Sequence, residues 1–284
     1  MQSLEGRVAF ITGSARGQGR AHAITLARHG ADIVAVDISQ QVDSVQYPLA
    51  TPEDLAETVS EVEALGRRAI SVIADVRSSE QLDAAVSRGL EVFGQIDILI
   101  ANAGIWGSGP FWKLTEEQWG DMLDVNLSGV WRSAKAIAPH MISRGSGSIV
   151  MTSSIRGMLP GANYSHYVSS KHGLIGLMKN VALELSPYGI RCNAICPGVI
   201  DTAMVNWQGA YNMFAGKPEG TRDDLIMGAR RQHALKGVGA LVPQVIADAA
   251  YWLVSDYSAA ITGVALPVDA GHLLLPGINN DPRE

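Results

Sequence analysis

The stretch YSHYVSSK, residues 164–171, puts two phenols and one ammonium within eight residues. On a helix Lys171 lies one turn beyond Tyr167, because residues four apart share a face. Tyr164 meets only Val168 at the matching position. A free phenol has a pKa near ~10 and moves protons poorly at neutral pH, and an adjacent cation lowers that value by stabilising the phenolate. The pattern therefore suits general acid–base chemistry at a substrate oxygen, with Tyr167 rather than Tyr164 as the proton carrier. The same spacing also occurs in helices that only pack, so the assignment depends on the elements around it.

The chain has 284 residues, of which 47% are hydrophobic and 18% charged, as expected of a soluble globular protein. That length fits one large α/β domain as well as two small ones. A formal net charge of −6, with no cluster of Lys and Arg, leaves no electrostatic footprint for nucleic acid or an anionic membrane. The opening MQSLEGRVAFITGS lacks a basic segment followed by a long apolar stretch, so no signal peptide is read there. No apolar run approaches the length of a membrane span. The expected location is the cytoplasm. Cys192 and Cys196 fall in a strand-like run, where residues four apart are separated by roughly 13 Å. A disulfide tolerates about 7 Å between Cα atoms, so the pair reads as two buried thiols. No set of His and Cys has metal-ligand spacing.

Seven short, nearly continuous apolar runs alternate with helical stretches: RVAFIT, DIVAV, AISVIAD, IDILIAN, SIVMTS, IRCNAI and GVALPV. Such runs are expected of parallel strands buried on both faces. Residues 78–93 and 164–186 carry apolar positions every three or four residues, as helices do. TPED at 51–54 places Thr51 as N-cap with Pro52 at the first helical position, and TEEQ at 115–118 is a capping box. This alternation predicts a single Rossmann-like α/β domain over 1–284, a doubly wound parallel sheet of about seven strands flanked by helices. Two long connections break the rhythm, 38–51 and 199–241, and loops of that length are usually functional or mobile.

The first strand runs into TGSARGQG, so Gly13, Gly17 and Gly19 open the first helix. Glycines there let the backbone turn sharply and approach a pyrophosphate held at the helix N-terminus. Asp37 ends the second strand about twenty residues later, where a carboxylate can accept hydrogen bonds from an adenosine ribose and repel a 2′-phosphate. Arg16 is the counter-signal, since its guanidinium could pair with that phosphate. NAD is the expected cofactor, and an NADPH-dependent ketoreductase is the alternative. Asp75 could hydrogen-bond adenine, and Asn102, Ala103 and Gly104 offer small residues where the sheet must approach a ribose.

Taken in order, TGSARGQG, Asp37, DV at 75–76, NAG at 102–104, Asn126 in LDVNLSGVW, TSS at 152–154, YVSSK at 167–171 and PGVIDT at 197–202 resemble the short-chain dehydrogenase/reductase family over nearly the whole chain. The resemblance implies a role for each matching position. Tyr167 would be the general acid/base, and Lys171 would lower its pKa and bind the nicotinamide ribose. Ser154, rather than its neighbour Ser153, would polarise the same oxygen. Asn126 would hold a water relaying protons through Lys171, while Thr202 and the Ile200 backbone would grip the carboxamide. Gln18, Ile38, Val76 and Pro197 complete the implied cofactor contacts. Hydride and proton leave adjacent atoms in such a reaction, so a base of tuned pKa and a fixed dipole suffice without a metal.

The substrate lobe is expected from 104–112, 156–164 and 203–236, contributing Trp106, Leu159, Tyr164, Trp207, Met213 and Phe214. This apolar and aromatic mix, without a basic cluster, suits a hydrophobic secondary alcohol or ketone. The insertion after Asp37 resembles that of the mycofactocin-associated members, a group that includes carveol dehydrogenases. That resemblance implies terpenoid-like alcohols, NAD held without exchange and reoxidation of NADH by a redox carrier. Val42, Val45, Tyr47 and Leu49 would then close over the adenine. The family also implies a homotetramer, with the 164–186 helix and the last strand at interfaces and the apolar tail 272–278 packed on a neighbour. A non-catalytic NAD(H) sensor is the competing class. It would need the glycine turn and Asp37, but has no use for Ser154, Tyr167 and Lys171 together.

Overall fold

A computed structural model of the chain describes residues 3–279; Met1, Gln2 and residues 280–284 of the expected 1–284 domain lie outside them. Each of the seven apolar runs forms a strand: β1 (Val8–Thr12), β2 (Asp32–Asp37), β3 (Ala69–Ile73), β4 (Ile98–Ala101), β5 (Gly147–Thr152), β6 (Ile190–Pro197) and β7 (Ala265–Val268). They pair in parallel in the order β3-β2-β1-β4-β5-β6-β7. β1, β2 and β4 are buried along their full length, which explains why their sequences show no polar alternation.

Nine α-helices accompany the described strands: α1 (Gly17–Arg28), α2 (Pro52–Ala64), α3 (Ser79–Phe93), α4 (Glu116–Leu123), α5 (Gly129–Arg144), α6 (Ser165–Leu185), α7 (Gln208–Ala215), α8 (Arg222–Arg231) and α9 (Pro243–Val254). Side chains of α1, α2 and α9 form the core on one face of the sheet, through Leu26, Leu55, Val62, Ile246 and Leu253. The opposite core is built from α3, α5 and α6, through Val86, Ile137, Leu174 and Met178. The chain moves outward from β1 to β3 and then returns to place β4 against the other side of β1. Thr12 and Ala101 are thereby in register at the carboxyl ends of those strands. A crevice necessarily opens at this reversal, because the connections leave in opposite directions.

Local signals fixed the helix starts. The Thr51 and Thr115 side chains accept from the backbone N–H groups of Asp54 and Gln118, and both capping boxes are complete. A π-helical turn, Asp124–Ser128, joins α4 to α5 and carries Asn126. Cys192 and Cys196 are both free and buried.

The two long connections differ from simple loops. Residues 38–51 contain no helix or strand, yet they fold around one side chain. The Gln41 amide donates to the carbonyls of Val42, Val45 and Tyr47 at 3.2, 3.0 and 3.3 Å and accepts from Leu49 N at 3.0 Å. The 199–241 connection contains α7 and α8, and Thr221 caps α8 through Asp224. At the tail, His272 is buried, but Leu274 and Ile278 are 82% and 59% exposed, so the other described residues do not cover them. Among the described residues no helix is long and apolar enough to cross a membrane, and no metal-binding cluster of His, Cys, Asp and Glu occurs.

Candidate active site

Two adjoining cavities open along the carboxyl edge of the sheet. The first is lined by Gly13, Arg16, Gly17, Gln18, Asp37 and Ile38 on one side, and by Asp75, Val76, Asn102, Ala103 and Gly104 on the other. Gly13 has a φ of +66°, and a Cβ there would lie 2.7 Å from Ala103 Cα. A side chain would therefore both strain the turn and fill the floor of the cavity. Gly19, also expected at the cofactor, does not line the cavity. Its hydrogen atoms face the turn instead, where a Cβ would come within 1.9 Å of the Gly13 carbonyl oxygen. It lets α1 close on β1 rather than letting a ligand approach.

Asp37 is buried at the end of β2, and its carboxylate accepts from Ala15 N at 3.0 Å and Ser39 N at 3.1 Å. Those bonds fix a negative charge in the cavity wall. Arg16, the counter-signal, donates to the Pro48 carbonyl and thereby pins the 38–51 segment. Asp75 is paired with Arg77 at 2.8 Å, and Arg77 continues to Asp121 at 2.7 Å. Val42, Tyr47, Leu49 and Ala50 line the same cavity. Val45 does not; it packs with Met122 and Leu82 in a separate small core.

The second cavity holds Ser154, Tyr167 and Lys171 together with Pro197, Ile200 and Thr202, and shares Gln18, Asn102, Gly104 and Thr202 with the first. Ser154 and Ser153 turn in different directions from the end of β5. The Ser153 hydroxyl donates to the Lys171 carbonyl at 3.0 Å. Ser154 Oγ accepts from Arg156 N at 3.1 Å, and its hydroxyl is near enough to Tyr167 to act on the phenol. Burial pushes the Tyr167 phenol up, while the Ser154 hydroxyl and the Arg156 guanidinium draw it down. Lys171 does not contact the phenol oxygen in the way its one-turn spacing suggested. Its ammonium donates to the Thr152 carbonyl at 2.8 Å and stands 5.7 Å from the Tyr167 ring centroid. Burial lowers the Lys171 pKa to about 8.

Asn126 is fully buried behind this cavity and does not line it. Its amide clamps Ile105, accepting from the backbone N–H at 2.8 Å and donating to the carbonyl at 2.9 Å. The side chain thereby braces the π-helical turn against the segment after β4. It still borders Lys171 across Gly104: a Cβ on Gly104 would lie 3.3 Å from Asn126 Oδ1 and 3.6 Å from Lys171 Nζ.

Of the expected substrate residues, Trp106, Tyr164, Met213 and Phe214 line the second cavity, and the Tyr164 hydroxyl meets the Met213 sulfur. Leu159 and Trp207 do not line it. Trp207 lies behind the wall, its indole N–H donating to the Met204 carbonyl at 3.1 Å and its ring 6.0 Å from Tyr47. Met204, Val205, Arg156 and Gln232 occupy wall positions that the sequence reading did not assign. Arg156 stands two residues past Ser154, where a search for a basic cluster passes over a lone cation.

The fit to a dinucleotide rests on Gly13 and Gly17. Both have positive φ at the start of α1, below a carboxylate that the backbone holds in place. A family model described as short chain dehydrogenase matches residues 7–211. The (-)-trans-carveol dehydrogenase of Rhodococcus erythropolis is 44% identical over 283 residues, covering 96% of this chain and 100% of that protein. An uncharacterized NAD-dependent oxidoreductase of Mycobacterium tuberculosis is 45% identical over 273 residues, covering 95% of this chain and 97% of the relative. The crystal structure of carveol dehydrogenase from Mycobacterium avium in complex with NAD superposes with a TM-score of 0.94 at 44% identity, covering 97% of this chain and 100% of that one. The chain belongs to the short-chain dehydrogenase family and is an NAD-dependent oxidoreductase.

Proposed function

We propose that the protein interconverts a hydrophobic secondary alcohol and its ketone, with Tyr167 as the group that moves the proton. The observation that carries this reading is the convergence of Ser154, Tyr167 and Lys171 in the cavity that adjoins the nucleotide cleft. Gly13, Gly17, Asp37, Asp75 and Asn102 would hold the adenosine and pyrophosphate half of NAD. Lys171, Pro197, Ile200 and Thr202 would hold the nicotinamide half. Bound NAD supplies the hydride acceptor. Ser154 donates a hydrogen bond to the substrate oxygen and fixes it beside Tyr167, whose phenolate takes the hydroxyl proton during oxidation. In reduction the phenol returns that proton. Asn126 acts as a positioning residue, because it sets the Ile105 backbone and the ground on which Lys171 stands. The 199–241 segment, with α7 and α8, forms the outer wall through Met213 and Phe214. Its apolar and aromatic lining, and the relatives named for carveol, support a terpenoid-like alcohol.

The 38–51 segment is read as a lid over the adenosine. Five of its apolar side chains, Ile38, Val42, Tyr47, Leu49 and Ala50, line the nucleotide cavity, and Gln41 and Arg16 fix its shape. Covering ~150 Å² of adenosine at roughly 25 cal/mol per Å² contributes about 4 kcal/mol before ordering costs. Half of that slows release about thirtyfold if it appears in the dissociation rate. A nucleotide held this way is reoxidised in place by a redox carrier, as in mycofactocin-associated enzymes. The exposed Leu274 and Ile278 support a homotetramer in which neighbouring subunits cover the tail, and the assembly is placed in the cytoplasm.

Three experiments test these statements. With a panel of hydrophobic secondary alcohols, wild-type protein should form reduced nicotinamide. Tyr167→Phe should lower kcat by about 10²–10⁴-fold with NAD affinity within about threefold, while Tyr164→Phe should stay within a few-fold. Equal losses from the two substitutions would defeat the assignment. Purified, desalted protein that is then denatured should release near-stoichiometric NAD(H), and intact protein should turn over with an artificial electron acceptor; empty protein that is brisk with free NAD would remove the lid. Light scattering at micromolar concentration should report a tetramer, and a monodisperse monomer would reject the assembly.

A further inference from the structure

The second cavity contains a cation that no acid in its lining pairs with. Its lining includes no aspartate or glutamate, and its two cations are Lys171 and Arg156. Lys171 is committed to the Thr152 carbonyl and the cofactor side. Arg156 is half-buried, and none of the ion pairs among the described residues includes it. One N–H of its guanidinium donates to the Pro160 carbonyl at 2.6 Å. The group's carbon stands 5.7 Å from the Tyr164 ring centroid, and Tyr164 in turn faces Trp106 at 5.9 Å. These contacts brace the fork against an aromatic wall and leave its remaining donors to the cavity. The unassigned Gln232 lines the same space, and its side chain has no protein hydrogen-bond partner among those described.

A guanidinium is not deprotonated in proteins, and it presents planar paired donors that match a carboxylate. With no acid in the lining, the free donors of this half-buried fork are available to an anionic group of a ligand. We propose that Arg156 is a substrate anchor, and that the preferred substrate is a secondary alcohol or ketone whose apolar body also carries a carboxylate. The proposal rests on the alcohol-oxidoreductase reading of the same cavity and narrows it. Ser154 and Tyr167 take the reacting oxygen, Trp106, Met213 and Phe214 enclose the apolar body, and Arg156 takes the carboxylate with Gln232 as a neutral second donor. The backbone link from Arg156 N to Ser154 Oγ fixes the spacing between the anchor and the reacting end.

The test measures binding rather than turnover, so it stands apart from the alcohol screen. Protein loaded with oxidised NAD cannot reduce a ketone, and Trp106 in the wall supplies a fluorescence signal. The probes are 4-oxocyclohexanecarboxylate and the uncharged 4-methylcyclohexanone, titrated into wild type, Arg156→Met and Arg156→Lys. Wild type should bind the acid about 10–100-fold more tightly than the neutral ketone. Arg156→Met should bring that ratio close to one, and Arg156→Lys should keep part of it, because the charge survives without the fork. Equal affinities in wild type, an unchanged ratio in Arg156→Met, or no acid binding would each overturn the anchor. If the acid preference holds while no alcohol is oxidised, the reaction assignment fails and the anchor stands. Thermal melting of each variant confirms that the comparison is made on folded protein.

Discussion

The structure of this site turns on the burial of one ammonium. Lys171 is 4% exposed, and an ammonium has three donors, of which the protein satisfies one through the Thr152 carbonyl. Burial that drags its pKa to about 8 shows what the fold gives up to keep a cation there. Several features arrange themselves around that point. β5 ends so that Thr152 faces Lys171, Ser153 ties the Lys171 backbone to the strand end, and Ser154 is thereby released toward Tyr167. Gly104 keeps the ground between Asn126 and Lys171 free of a side chain.

The Tyr167 phenol needs a separate account. The groups that draw it down are a hydroxyl and a guanidinium from the 154–156 turn, and burial opposes them. The helix spacing that singled out Tyr167 and Lys171 is therefore correct about proximity, but it does not describe a direct phenol–ammonium bond. Both groups line the same cavity, with the ammonium turned to the Thr152 carbonyl rather than to the phenol oxygen. The 38–51 segment joins both cavities, since the Tyr47 hydroxyl accepts from Trp106 N at 3.1 Å, linking the wall of the first to the wall of the second.

Much of this was legible in the sequence. Strands buried on both faces write their burial as unbroken apolar runs, so all seven could be read, and the caps at Thr51 and Thr115 carry their own geometry. Less could be read where direction matters more than position. Leu159 and Trp207 lie in irregular segments, where no periodicity says which way a side chain points, and both turn away from the cavity. The cap TRDD at 221–224 could have revealed α8 inside the long connection, but the segment's length obscured it. Gly19 and Asn126 match the family's motifs, and the structure adds backbone packing and bracing that the motifs do not reveal. The bracing by Asn126 depends on Ile105, twenty-one residues away in sequence. Arg156 was hidden for another reason: it is a single charge, and its meaning comes from the absence of acids around it in space.

The central claim is that Lys171 is a cation completed by the cofactor's ribose, and it predicts a proton. Ribose hydroxyls that accept from the ammonium raise its pKa above the value of about 8 in the free protein. NAD binding near pH 8 must then take up protons, and affinity must fall as pH rises through that value. The measurement is calorimetric titration of NAD into nucleotide-free Tyr167→Phe protein at pH 8, in two buffers of different ionisation enthalpy, so that the phenol contributes nothing. The account predicts an uptake of up to about half a proton, abolished when Lys171→Met is added. No uptake, or the same uptake without Lys171, would contradict it.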